Sequence, residues 1–151
     1  MKKLNDFKQI CDEMINIEIL FHYDSIFEIL YKYENNYYFY FNWIKFFEYH
    51  NIFNYEISIL IKSDKEIIKS YLTRKTSHKH LFKNSNEIIL VKSGYKNTDN
   101  NTWFDEFYQI SYDEYVFLYA TQKFLDDEIF CIEKYTESKV DEILNRTGNE
   151  E

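Results

Sequence analysis

Leu4, Phe7, Cys11 and Met14 recur at three- and four-residue spacing with acids and lysines between them, the pattern of a short amphipathic helix over residues 4–15. From Ile17 the period changes. Ile19–Tyr23, Ser25–Tyr33 and Tyr37–Ile44 are rich in Ile, Phe and Tyr, and Glu34-Asn35-Asn36 separates the last two, which predicts an antiparallel meander or hairpin. The third segment does not alternate, because Tyr37, Tyr38, Phe39, Tyr40 and Phe41 are all aromatic. Both faces of that strand are therefore expected to be covered, one by the core and the other by a helix or a partner.

Residues 45–54 show no clear period, and Tyr55–Ile61 reads as a further strand. Ser63-Asp64-Lys65-Glu66 matches a capping box, and Ile67, Ile68, Tyr71 and Leu72 supply one apolar face, predicting a helix over about 63–73. Thr76 or Ser77 is placed to cap a second short helix carrying Leu81 and Phe82. Glu87–Lys92, with Ile88-Ile89-Leu90-Val91 at its centre, reads as a buried strand, and Ser93–Thr102 as a polar loop around Gly94. Trp103–Ile110 fits neither period cleanly. Ser111-Tyr112-Asp113-Glu114 is a second capping-box match that would start a helix reaching Lys123, although Tyr115–Tyr119 favours strand. Phe130-Cys131-Ile132 reads as a short strand or packed loop, Thr136–Leu144 as a last short helix, and Asn145–Glu151 as a fraying end. Together these elements predict a single α+β domain over residues 1–151: an antiparallel sheet of about four to six strands packed against short helices around one core.

Composition supports a packed core. The chain has 151 residues, 45% of them apolar and 21% aromatic, which excludes disorder despite a net charge of -8. Proline is absent and the only glycines are Gly94 and Gly148, so turns must draw on Asn, Asp, Ser and Lys. Abundant Asn, Ile, Lys, Tyr and Phe with little Ala, Gly, Pro and Arg is what an A+T-rich microbial or phage genome writes. Asp6, Lys8, Asp12 and Glu13 interrupt any signal-like segment after Met1-Lys2-Lys3, and Tyr37–Phe47 is too short to span a bilayer. The expectation is a cytoplasmic protein with no membrane partner. Cys11 and Cys131 lack CxxC spacing and read as reduced, inert thiols, a single disulfide being the alternative.

Charge is distributed unevenly. Residues 1–102 carry 14 Lys or Arg against 13 Asp or Glu, and residues 103–151 carry 4 against 13, so the whole acidic excess lies in the last third. Nine basic residues fall between Lys62 and Lys96. Such a chain is expected to be an electrostatic dipole, suited to oriented docking on another macromolecule or to self-complementary packing as a homo-oligomer.

Candidate chemistry is sparse. Arg74, Lys75, His78, Lys79 and His80 cluster near two predicted helix starts and form the best phosphate-binding candidate, set against a solvated surface in an acidic chain that favours no direct nucleic-acid contact. A metal site would require the fold to bring His22 or His50 to His78 and His80. There is no GxxxxGK, GxGxxG, HExxH or GxSxG. No catalytic, cofactor-binding or metal-binding residue is assigned, no cofactor is expected, and the reading leans away from an enzyme. The acids Asp113, Glu114, Asp126, Asp127, Glu128, Asp141 and Glu142 serve better collectively, as a surface that meets a cationic one. The expected function is a noncatalytic, acidic protein-binding domain, of the kind a phage or microbe uses as an inhibitor, engaging a basic or nucleic-acid-handling protein through its C-terminal third. The alternatives are a homodimeric accessory or structural protein built on the aromatic strands, or an enzyme of unknown chemistry.

Ile26–Tyr33 with Asn36–Trp43, followed later by Thr76–Phe82, resembles small uncharacterised bacterial α+β proteins in which a strand pair precedes a helix and a short element of serine followed by hydrophobic residues. The resemblance spans residues 17–92 and departs from that pattern in lacking a glycine in the first hairpin. It implies a compact α+β domain and no transferable activity.

Overall fold

The segments rich in β-branched and aromatic residues join one antiparallel sheet in the computed structural model, which describes residues 1–23, 26–42, 47–49, 53–96, 103–122 and 133–146. Its strands are β1 (Lys2–Lys3), β2 (Ile15–Tyr23), β3 (Ile26–Tyr33), β4 (Asn36–Asn42), β5 (Phe47–Tyr49), β6 (Phe53–Ser63), β7 (Glu87–Lys96) and β8 (Trp103–Ile110). They run across the sheet in the order β1-β8-β7-β6-β4-β3-β2, with β5 also paired to β6. Six strands of seven residues or more carry the sheet, and the short β1 and β5 raise the number to eight, above the four to six expected. The helices are α1 (Phe7–Glu13), α2 (Lys65–Leu72), α3 (His78–Lys83), α4 (Tyr112–Gln122) and α5 (Glu137–Leu144).

Two meanders, β2-β3-β4 and β6-β7-β8, are joined by the β4–β6 ladder. Pairing along β5, β6, β7 and β8 reassigns three stretches. Ser93–Lys96 continue β7 as strand because they face Glu56–Phe53 of β6, so Gly94 lies opposite Tyr55 rather than in a loop. Within the irregular stretch 45–54, β5 forms and β6 already begins at Phe53. Trp103–Ile110, undecided from its own pattern, is the strand that pairs with Tyr95–Ile88. In each case cross-strand partners outweigh local propensity. Residues 43–46, 97–102 and 123–132, including the expected Phe130-Cys131-Ile132 element, lie outside the described residues.

The aromatic run resolves by its period of two. Tyr37, Phe39 and Phe41 join the main core with Leu30, Ile59, Ile61 and the buried sides of α2, α3 and α5. Tyr38 turns to the other face, where Phe7 of α1 meets it at 5.9 Å and Phe107 at 5.3 Å between ring centroids. Both faces of β4 are thus covered, as its lack of alternation predicts. Each fully buried Leu, Ile or Phe side chain contributes about 1.5–3 kcal/mol.

Local sequence sets the helix ends. Ser77 and Thr136 cap α3 and α5 by accepting from the His80 and Lys139 amides. Ser111 and Glu114 form a reciprocal capping box at α4, each side chain accepting from the other's backbone amide at 3.1 Å, and the helix forms despite Tyr115–Tyr119. The matching box at α2 does not form: Ser63 ends β6, and Asp64 occupies the N-cap with no side-chain cap bond. At the other end of α2, Arg74 adopts φ 61 while its amide bonds to the Tyr71 carbonyl and that of Lys75 to Ser70, a Schellman closure built without glycine.

Both sheet edges are blunted. β1 is two exposed lysines. β2 is interrupted by two register shifts, and the Arg146 guanidinium donates to the Ile17 carbonyl at 2.7 Å. Arg146 also pairs with Glu18 at 2.7 Å, so the start of the segment read as fraying is tied to the sheet. Residues 147–151 lie outside the described residues.

Candidate binding surfaces

Among the described residues, most acids of the last third meet a cation of the same chain. Asp141 meets Lys69 at 3.0 Å, Glu137 meets Lys75, and Glu142 meets Lys139 and Arg146. Asp105 pairs with Lys8, Glu106 with Lys3, and Glu114 with the Met1 ammonium. Lys3, Lys8, Lys69, Lys75 and the Met1 ammonium thus bring charge from the first two thirds of the chain onto acids of the last, while Lys139 and Arg146 pair within it. Of the acids expected to meet a partner, Glu114, Asp141 and Glu142 are engaged in this way. Asp126, Asp127 and Glu128 lie outside the described residues.

Asp113 differs, with no cation at ion-pair distance among the described residues. It shares the outward side of α4 with Val116 and Phe117, while Tyr115 on the inward side is buried and stacks on Phe82 at 4.1 Å. Phe117 is 67% exposed.

The basic candidate cluster comes apart in the structure. Lys79 and His80 are exposed on α3, where Nδ1 of His80 lies 3.2 Å from the Asn84 amide nitrogen. Arg74 serves the backbone closure of α2, and Lys75 reaches Glu137. His78 is a correction: it faces inward, 4.5 Å from the Phe82 ring and 5.3 Å from that of Phe41, with Nε2 3.4 Å from the Tyr115 hydroxyl. Burial pushes its pKa down to about 4, which favours the neutral imidazole and sets His78 apart from the exposed Lys79 and His80. No group of three or more His, Cys, Asp and Glu able to hold a metal occurs among the described residues.

Two polar features escaped the sequence reading. Glu28 on β3 is fully buried, and neither carboxylate oxygen has a hydrogen-bond partner. Desolvation raises its pKa to about 8, so the carboxyl is protonated at neutral pH. Its sequence signal was the period of two in β3, which puts Glu28 on the same face as Leu30. The second feature is an open cleft of about 220 Å³ between α1 and the sheet, whose lining includes Lys8, Cys11, Tyr40, Ser93 and Asp105. Two further clefts, of about 130 and 150 Å³, lie along α2 and α5. All three fall below the roughly 300–1,000 Å³ of ordinary small-ligand pockets. The Cys11 thiol is free, and burial pushes its pKa to about 12, which makes it a poor nucleophile.

Compared with protein-family models, curated proteins and solved structures, the chain matches none. No helix among the described residues is long and apolar enough to cross a membrane.

Proposed function

We propose that this chain is a noncatalytic protein-binding domain that docks on a basic protein, such as one that handles nucleic acid, and antagonises it. The docking element is the outward face of α4 together with Asp126-Asp127-Glu128, which follow it in sequence. The observation that carries this reading is the grouping of Asp113, Val116 and Phe117 at spacings of three and one along α4, with Phe117 67% exposed. An exposed ring and an exposed valine beside a carboxylate combine an apolar anchor with a charged rim. Asp141 and Glu142 already face cations of this chain, whereas Asp113 faces none among the described residues, which favours Asp113 as the carboxylate offered to a partner.

The test is affinity capture from lysate of the encoding organism, with a nuclease-treated arm, followed by titration of the captured protein. Phe117→Ser is expected to weaken binding at least ten-fold, and Asp113→Lys to weaken it and flatten its salt dependence. Unchanged affinity in both variants removes α4 as the docking face. Loss of capture on nuclease treatment would assign the association to nucleic acid.

A further inference from the structure

Asp105 is held from two sides by the sheet. Its Oδ1 accepts from the Ser93 hydroxyl at 2.6 Å and from the Trp103 indole at 3.1 Å, so β7 and β8 fix its orientation. Its side chain is only 16% exposed. The third partner is of another kind: Lys8 reaches in from α1 to Oδ2 at 3.1 Å, is 58% exposed, and shares its ammonium with Asp12 at 3.5 Å. Beside this carboxylate lies the cleft of about 220 Å³, walled by Met14, Tyr40, Leu60, Val91 and Phe107. Trp103, 46% exposed, stands at the same carboxylate.

We propose that this recess receives an arginine side chain from a protein partner. The apolar stem lies in the cleft, and the guanidinium replaces the Lys8 ammonium on Asp105 while Lys8 stays with Asp12. A cavity of this size suits one side chain rather than a cofactor, and an arginine matches its two halves, apolar stem and cationic tip. The planar guanidinium can also present two N–H donors to a carboxylate, which an ammonium cannot do with the same geometry. The surrounding charge favours a cation: Glu56, Ser93 and Asp105 form one row across β6, β7 and β8, and Asp12 and Glu13 lie on α1. Exchange is feasible because a solvated lysine pair is weak, whereas a guanidinium brought in under its own stem is shielded from water. This site is on the α1 side of the sheet and does not depend on the α4 face.

The probe is acetyl-Leu-Arg-Leu-amide, titrated into the isotopically labelled chain and followed by amide and indole NMR shifts, with the citrulline peptide as neutral comparator. The arginine peptide is expected to shift the Trp103 indole and the Ser93 and Asp105 amides, binding at least ten-fold more tightly than the citrulline peptide. Asp105→Asn should lose that difference. Lys8→Ala, an exposed change that leaves the fold intact, should tighten binding several-fold by removing the competing ammonium. That result decides the matter even if the Asp105 variant fails to fold. Phe117→Ser should leave these shifts unchanged, which separates this site from α4. The proposal is overturned by absence of shifts, by equal binding of the citrulline peptide, by shifts at Asp113 instead of the cleft, or by a Lys8→Ala variant that binds no better.

Discussion

Glu28 and Phe41 stand directly opposite each other on β3 and β4, both fully buried on the face that packs beneath the helices. Phe41 also packs against His78, so a single phenylalanine touches the surroundings of two core groups whose burial favours their neutral forms.

Opposite pH dependences follow for the two groups. Between the ordinary carboxyl value of 4.5 and about 8, folded Glu28 keeps a proton that the unfolded chain releases, so stability falls as pH rises through that window. Between about 4 and the ordinary histidine value of 6.5, the unfolded chain binds a proton that folded His78 refuses, so stability rises with pH. Their slopes, each up to about 1.4 kcal/mol per pH unit, cancel where the windows overlap. Of these two groups, only Glu28 contributes to the fall from pH 6.5 to 8. Denaturant midpoints across this range should show that fall, and Glu28→Gln should abolish it without changing the denaturant slope. A fall that persists in the variant would place its origin elsewhere.

Scarce glycine leaves its mark at two turns. Glu34 and Arg74 have φ of 55 and 61, the left-handed region where a Cβ is crowded, and they are the only non-glycine residues with positive φ among those described. Glu34→Gly in the β3–β4 turn and Arg74→Gly after α2 are each expected to stabilise the protein by about 0.5–1 kcal/mol, read as a higher denaturant midpoint. Loss of stability in Arg74→Gly would mean that its side chain contributes more than its backbone strain costs.

What could be read in advance was local. Ser77, Thr136 and Ser111 act through residues three positions away, so the starts of α3, α5 and α4 follow from short windows of sequence. The hairpin at Glu34-Asn35 is equally local. The extension of β7 through Gly94 and Lys96 is not, because its cause is β6, some forty residues earlier in the chain. The same limit applies to charge. Lys69 and Asp141 are 72 positions apart, and only the packing of α5 beside α2 makes one the partner of the other. Burial is also nonlocal, which is why His78 resembled a surface ligand and Glu28 drew no attention.

The two capping-box matches offer a test of context at nearly constant local sequence. Ser111 satisfies the Glu114 amide, so Ser111→Ala is expected to cost about 1 kcal/mol, with the loss confined to stability. Ser63 has the same spacing to an acid, yet its hydroxyl is buried at the end of β6 with no hydrogen-bond partner. Alanine there removes a desolvated polar group and leaves a methyl in the core. Ser63→Ala is therefore expected to leave stability unchanged or to raise it by up to about 1 kcal/mol. Chemical denaturation of the two variants side by side checks both signs, and a cost at Ser63 equal to that at Ser111 would mean that Ser63 caps α2 in solution.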